Sequence, residues 1–155
     1  MDRIDAELGY LTWHDDGTAH YSGLYEGSGR GFIDWVCELH RPMVATSHQV
    51  TNILIEVDGD TAASEAYVTV RLRTDDGSGN LIDIVGAGRY LDQWSYRDGR
   101  WAIDHRQYVS DVSTNLPAPA SDARAALAPA GSVDVVPSHR DRSDPSYALF
   151  GDESA

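Results

Sequence analysis

The chain has 155 residues, enough for one domain that buries a hydrophobic core without disulfides or a structural metal. Its 12 Lys and Arg against 25 Asp and Glu give a formal charge of -13, which repels phosphate backbones and anionic lipid and excludes nucleic-acid and membrane surfaces as expected partners. A single cysteine, Cys37, rules out an intrachain disulfide; with no basic stretch before an apolar run at the N-terminus and no bilayer-length apolar segment, a cytoplasmic protein is expected.

Ile4, Leu8 and Leu11 recur at helical spacing between Asp2 and Trp13, which predicts a short amphipathic helix. His14-Asp15-Asp16-Gly17 reads as a turn and Thr18 to Tyr21 as a short strand. After a second turn, Ser28 stands as an N-cap for a helix through Phe32 to Leu39, closed by Pro42. From Val44 the apolar period changes from helical to alternating. A strand from Ser47 to Val57 turns at Asp58-Gly59-Asp60 into a return strand from Ala62 to Arg73, with Ala66, Val68, Val70 and Leu72 on one face. Beyond the loop Asp75 to Asn80, a strand from Leu81 to Tyr96 carries a bend at Gly86 and Gly88; Arg97-Asp98-Gly99-Arg100 turns it into a last strand from Trp101 to Val112. Residues 1–115 therefore form the predicted domain and residues 116–155 an Ala/Pro-rich extended tail. Within that tail Asp122 to Leu127 has the makings of a helical turn or two, and Tyr147, Leu149 and Phe150 either stay in extended chain or dock on the sheet or on a neighbouring subunit.

Several motifs fail on their spacing. Gly27 to Phe32 has its third glycine one place early for a dinucleotide fingerprint and no βαβ unit around it. Asp75 to Asn80 lacks the closing glutamate of a calcium loop, the six histidines have no paired zinc spacing, and there is no nucleophile elbow, so neither metal nor cofactor is expected.

The order helix, short strand, helix, then four long antiparallel strands resembles the SnoaL-like, nuclear transport factor 2-like superfamily, as do Asp2 to Leu8, the turn His14 to Gly17, the helix Ser28 to Val36, Ser47 to Asn52, and the hairpin Tyr96 to Trp101 followed by His105-Arg106. The resemblance covers about the first three quarters of the chain and implies an α+β, cone-shaped fold in which a curved, mostly antiparallel sheet packs on N-terminal helices around a small-molecule pocket. In the family's dehydrochlorinases and dehydratases an Asp-His pair eliminates a small leaving group. By that match Asp2 and His48 are the dyad, Arg106 aligns with a pocket arginine and Tyr21 with a substrate-orienting tyrosine, while the dehydratase's second histidine has no counterpart at its motif position and Tyr90 replaces its asparagine. The family's first helix normally precedes the matched aspartate, whereas this sequence starts there; either the numbered chain begins at an internal methionine of a longer protein, or its tail or a partner is expected to cover the pocket's open end.

The chemistry is consistent with that match. Elimination needs a base of near-neutral pKa, and a carboxylate that fixes a neutral imidazole's tautomer supplies one. Alternation places His48, Val50, Asn52 and Leu54 on one strand face, with Arg106 and Tyr108 together on the last strand and Trp13, Tyr21 and Tyr90 shaping the cavity. Each has a plainer reading as well: a satisfied strand histidine, an exposed Asp2, an Arg106 paired with Asp92, Asp104 or Asp111, and core tryptophans. Three functions are therefore expected from the sequence: a cofactor-independent lyase or isomerase on a small hydrophobic cyclic substrate, a non-catalytic ligand-binding module, and an accessory subunit resembling the small subunit of ring-hydroxylating dioxygenases. All three imply a homo-dimer or homo-trimer.

Overall fold

A computed structural model describes residues 1–118 and 136–150. The elements in chain order are α1 (Ala6–Tyr10), β1 (Trp13–Tyr21), β2 (Tyr25–Ser28), α2 (Gly29–His40), β3 (Ala45–Asp58), β4 (Thr61–Asp75), β5 (Leu81–Arg97), β6 (Arg100–Pro117) and α3 (Pro145–Phe150). The six strands form one mixed sheet in the order β2-β1-β6-β5-β4-β3, antiparallel throughout except where β1 runs parallel to β6. This is the expected α+β architecture.

The N-terminal stretch departs from the sequence expectation. Its helix is one short turn from Ala6, capped by the Asp5 carboxylate accepting from the Leu8 N–H at 3.0 Å. The helical spacing that ran on to Trp13 is overridden because Trp13 is 2 % exposed and pairs with Ile103 of β6; burying an indole outweighs a few residues' helix preference. His14 to Gly17 is likewise no turn between elements but an irregularity inside β1, where register moves from Trp13 opposite Ile103 to Thr18 opposite His105. Arg97 holds it, donating to Asp16 at 2.7 and 3.1 Å and to Asp104 at 2.6 Å.

Two further elements depart from expectation: Tyr25–Ser28, read as part of a turn, pairs with β1 as the strand β2, and Pro145–Phe150, placed in the extended tail, forms the short helix α3; α2 and the four long strands follow their sequence signals. Ser28 caps α2 by accepting from the Gly31 N–H at 3.1 Å, and the helix ends before Pro42. Its buried stripe of Phe32, Ile33, Val36, Cys37 and His40 packs on Trp13, Tyr21, Val68, Tyr90 and Ile103. The expected bend in the third long strand is a register shift between Ala87 and Gly88 against β6. Asp98 and Gly99 both have positive φ, the pattern of a type I′ turn whose twist matches its flanking strands. Pairing of β6 continues to Pro117, two residues into the expected tail. Asp122 to Leu127 lies outside the described residues. Among those described, no helix is long and apolar enough to cross a membrane.

Gly29 allows the helix to sit this close to the sheet, because a Cβ there would stand 2.2 Å from the Trp13 ring. Gly29→Ala is expected to cost about 1–3 kcal/mol through overpacking, read as a fall in thermal midpoint, although alanine is ordinarily the better helix residue.

Candidate functional site

The structure brings Asp2 and His48 together. Asp2 lies in the segment ahead of α1 and His48 near the start of β3; the Asp2 carboxylate meets the His48 Nδ1 at 2.6 Å and accepts from the His48 backbone N–H at 2.8 Å. Burial alone would raise the Asp2 carboxyl, but its hydrogen bond to the ring, the ring's charge and the backbone N–H outweigh burial and hold it at about 2, below its ordinary 3.8. An ionised carboxylate only accepts, so the Nδ1 in contact with it carries a proton, and Nε2 lies on the other side of the ring.

His48 opens on a cavity of ≈ 120 Å³ between α2 and the sheet, lined by Tyr21, Phe32, Val36, His40, Val70, Tyr90 and Tyr108 among others. Register explains its aromatic wall. Tyr21 of β1 lies opposite Tyr108 of β6, which lies opposite Tyr90 of β5, so one rung carries three tyrosines. Tyr21 stacks on Phe32 of α2 at 4.0 Å between centroids and on Tyr108 at 5.4 Å. Burial pushes the Tyr21 phenol up to about 12, with nearby Arg106 acting against that. The guanidinium nonetheless lacks hydrogen-bonding geometry to the Tyr21 hydroxyl, which is buried with no partner.

His40 was not singled out from the sequence. It ends the buried stripe of α2, and its spacing from Ile33, Val36 and Cys37 was the available signal. Its ring lies 5.5 Å from that of His48, its Nδ1 is buried with no hydrogen-bond partner, and burial, then repulsion from His48, lower its pKa from 6.5 to about 4.

Three expected site residues stand elsewhere. Arg106 does not line the cavity: it forms a two-pronged bond with buried Asp92, at 2.7 Å on both prongs, and lies over the Tyr90 ring at 4.2 Å, behind the aromatic wall. Burial acts to lower the guanidinium's pKa, but Asp92 and the tyrosines hold it above its ordinary value, so it stays charged. Asn52 is exposed with φ of 48°, at the shift between Thr51 and Leu54 that breaks the alternation assumed for β3. Trp13 belongs to the core beneath α2 and not to the cavity. Tyr21, Tyr90 and Tyr108 do line it. Among the described residues no group of three or more His, Cys, Asp or Glu side chains gathers to hold a metal ion.

The molecule is thus a single mixed sheet packed on α2, with the Asp2–His48 pair at an aromatic cavity between them. The SnoaL-like domain family model matches residues 1–107, and the chain belongs to that family. Solved structures with the same fold include a hexachlorocyclohexane dehydrochlorinase, LinA type 2 (TM-score 0.67, 21% identity, 84% of each chain). A scytalone dehydratase-like protein from Novosphingobium aromaticivorans also shares it (TM-score 0.63, 21% identity, 86% of this chain and 85% of that one), as does a protein of unknown function from Mycobacterium tuberculosis (TM-score 0.59, 29% identity, 71% of this chain and 62% of that one). In sequence, the chain is 31% identical over 144 residues, 83% of its length, to tricorn protease homolog 1 of Streptomyces coelicolor, and spans 12% of that protein.

The lowered pKa of His40 has a consequence for stability. Unfolded chain binds a proton on this ring near pH 6.5 and folded chain only near 4, so the contribution is present in full above 6.5 and lost as pH falls towards about 4. Stability measured by urea titration is expected to drop by roughly 2–3 kcal/mol over that range from this group, and His40→Gln, which cannot titrate, flattens that part of the profile.

Proposed function

We propose that this domain is a cofactor-independent lyase or isomerase acting on a small, mainly apolar ring that carries an oxygen function, with His48 as the base. The observation that carries this reading is the hydrogen-bonded Asp2–His48 pair opening on an aromatic-lined cavity. The cavity's ≈ 120 Å³ is of the order of the ~150 Å³ that takes up one benzene ring.

In this mechanism the His48 Nε2 lone pair takes a proton from a carbon next to a carbonyl. The C–H electron pair becomes the new double bond, and the leaving group departs from the neighbouring carbon with its own bonding pair. Asp2 stabilises the imidazolium that forms and keeps Nε2 facing the substrate. In a dehydration the imidazolium returns its proton to the departing hydroxyl, which leaves as water. In an isomerisation it returns the proton to a different carbon and nothing leaves. The unpartnered Tyr21 hydroxyl, which stays protonated at neutral pH, suits a donor to the substrate's carbonyl oxygen as negative charge builds there.

A second reading has its own support. Both prongs of Arg106 are committed to Asp92, so the site lacks the free guanidinium expected to stabilise a departing anion, which favours a binding module without turnover. A panel of cyclic β-hydroxy ketones, cyclic enones and chlorinated rings separates the two. Turnover of one member, reduced on the order of 10²–10⁴-fold by His48→Gln or Asp2→Asn, is the expected result; saturable binding without turnover would leave the binding module.

We further infer that the domain works as a homo-oligomer. Ile53, Leu54, Ile55 and Val57 of the edge strand β3 are each more than half exposed, and Ile55, Val57, Ala62, Trp94 and Trp101 line an apolar hollow on the sheet surface. Light scattering is expected to give a dimer or trimer, and Ile55→Lys to shift it to monomer.

A further inference from the structure

Asp2 belongs to neither a helix nor a strand, and its carboxylate serves His48 only if the segment around it is fixed. The described part of the C-terminal region fixes it. Residues 136–150 return to the N-terminal segment, where the Tyr147 hydroxyl donates to Asp5 at 2.7 Å and Arg3 pairs with Asp144 at 3.5 Å. Between them Arg140, part-buried, extends its guanidinium into the junction behind the dyad. It donates from Nη1 to the Met43 carbonyl at 2.5 Å, from Nη2 to the His40 carbonyl at 2.8 Å and to the Thr46 hydroxyl at 3.4 Å, and from Nε to the Asp2 carbonyl at 3.4 Å.

Three of these four acceptors come from stretches of chain that each bear a residue of the candidate site, and the fourth, Met43, lies in the turn between two of them. One is Asp2 itself. Another is the C-terminal end of α2, whose last residue is His40; its carbonyl also accepts from the Met43 N–H at 3.0 Å, and the helix dipole favours a cation there. The last is the start of β3, where Thr46 precedes His48 by two residues. A planar fork with donors along two edges can hold three such stretches in one geometry, which a single point charge on a flexible stem cannot do.

We infer that Arg140 is a positioning residue: it clamps the Asp2 segment to the α2–β3 junction and so sets the Asp2–His48 hydrogen bond. Its relevance to turnover rests on the proposed role of the dyad, but its effect on geometry does not, and the test reads geometry alone. In the full-length protein at neutral pH, ring ¹⁵N chemical shifts of His48 report which nitrogen carries the proton. The wild type is expected to show one tautomer, protonated at Nδ1, with slow exchange of the His48 backbone amide. In Arg140→Ala, folded by its amide spectrum, the ring is expected to become a mixture of both tautomers and the amide to lose its protection. A folded variant that keeps the single tautomer and the protected amide, whatever its melting temperature, would overturn the clamp. If the alanine variant does not fold, Arg140→Gln, which keeps a polar stem but loses the charge and the fork, is read in the same way. A tautomer change in a protein that turns over no member of the panel supports the clamp while counting against the lyase reading, so the two fail separately.

Discussion

The parallel pairing of β1 with β6 is the constraint on which the rest of this structure depends. It sets the first strand of the chain beside the last strand of the sheet, in a register that places Tyr21 opposite Tyr108 and, through β5, in line with Tyr90. Shifted by one residue, every one of these side chains would face the opposite side of the sheet. The same pairing buries Trp13 against Gly29 at the start of α2, fixing how closely that helix approaches. The cavity is the space left between this aromatic rung and the end of the helix.

Charge inside the site is arranged in layers. At the back, Arg106 and Asp92 neutralise each other behind Tyr90, which lets a cation lie under an aromatic wall without leaving a lone buried charge. Facing the cavity are groups that stay neutral near pH 7: the Tyr21 phenol, pushed up to about 12, and the His40 ring, lowered to about 4. Both have a polar atom with no partner in the protein. Polar atoms of this kind are costly to bury. Asp2, at the rim, is an ionised group in contact with His48 and holds the ring from its Nδ1 side.

How much was legible in the sequence depended on how local the signal was. The Ser28 cap and the stop at Pro42 gave α2 almost to the residue, and alternation with Asp-Gly turns gave four long strands, because caps, turns and the two-residue period are properties of a few neighbouring residues. The Asp2–His48 pairing was legible only through resemblance, since nothing within either segment refers to the other across 46 residues. Arg106 and Asn52 were placed in the site by correct general rules that lost to particulars. Arg106 met a carboxylate one strand away, on Asp92, and an irregularity at Asn52 broke the alternation that had aimed it inwards.

The sequence by itself determined the class of fold, the helix α2 and the four long strands, because these follow from periodicity, caps and turn chemistry, while Asp2 and His48 were matched to each other by resemblance alone. Only the tertiary structure decided that His14 to Gly17 lies within a strand, that His40 joins the cavity, that Arg106 is bound to Asp92, and that Arg140 reaches back to the Asp2 segment. Each of these depends on a contact between segments far apart in the chain. Their energies come from burial and from charge pairing in three dimensions, and no local pattern of residues encodes them.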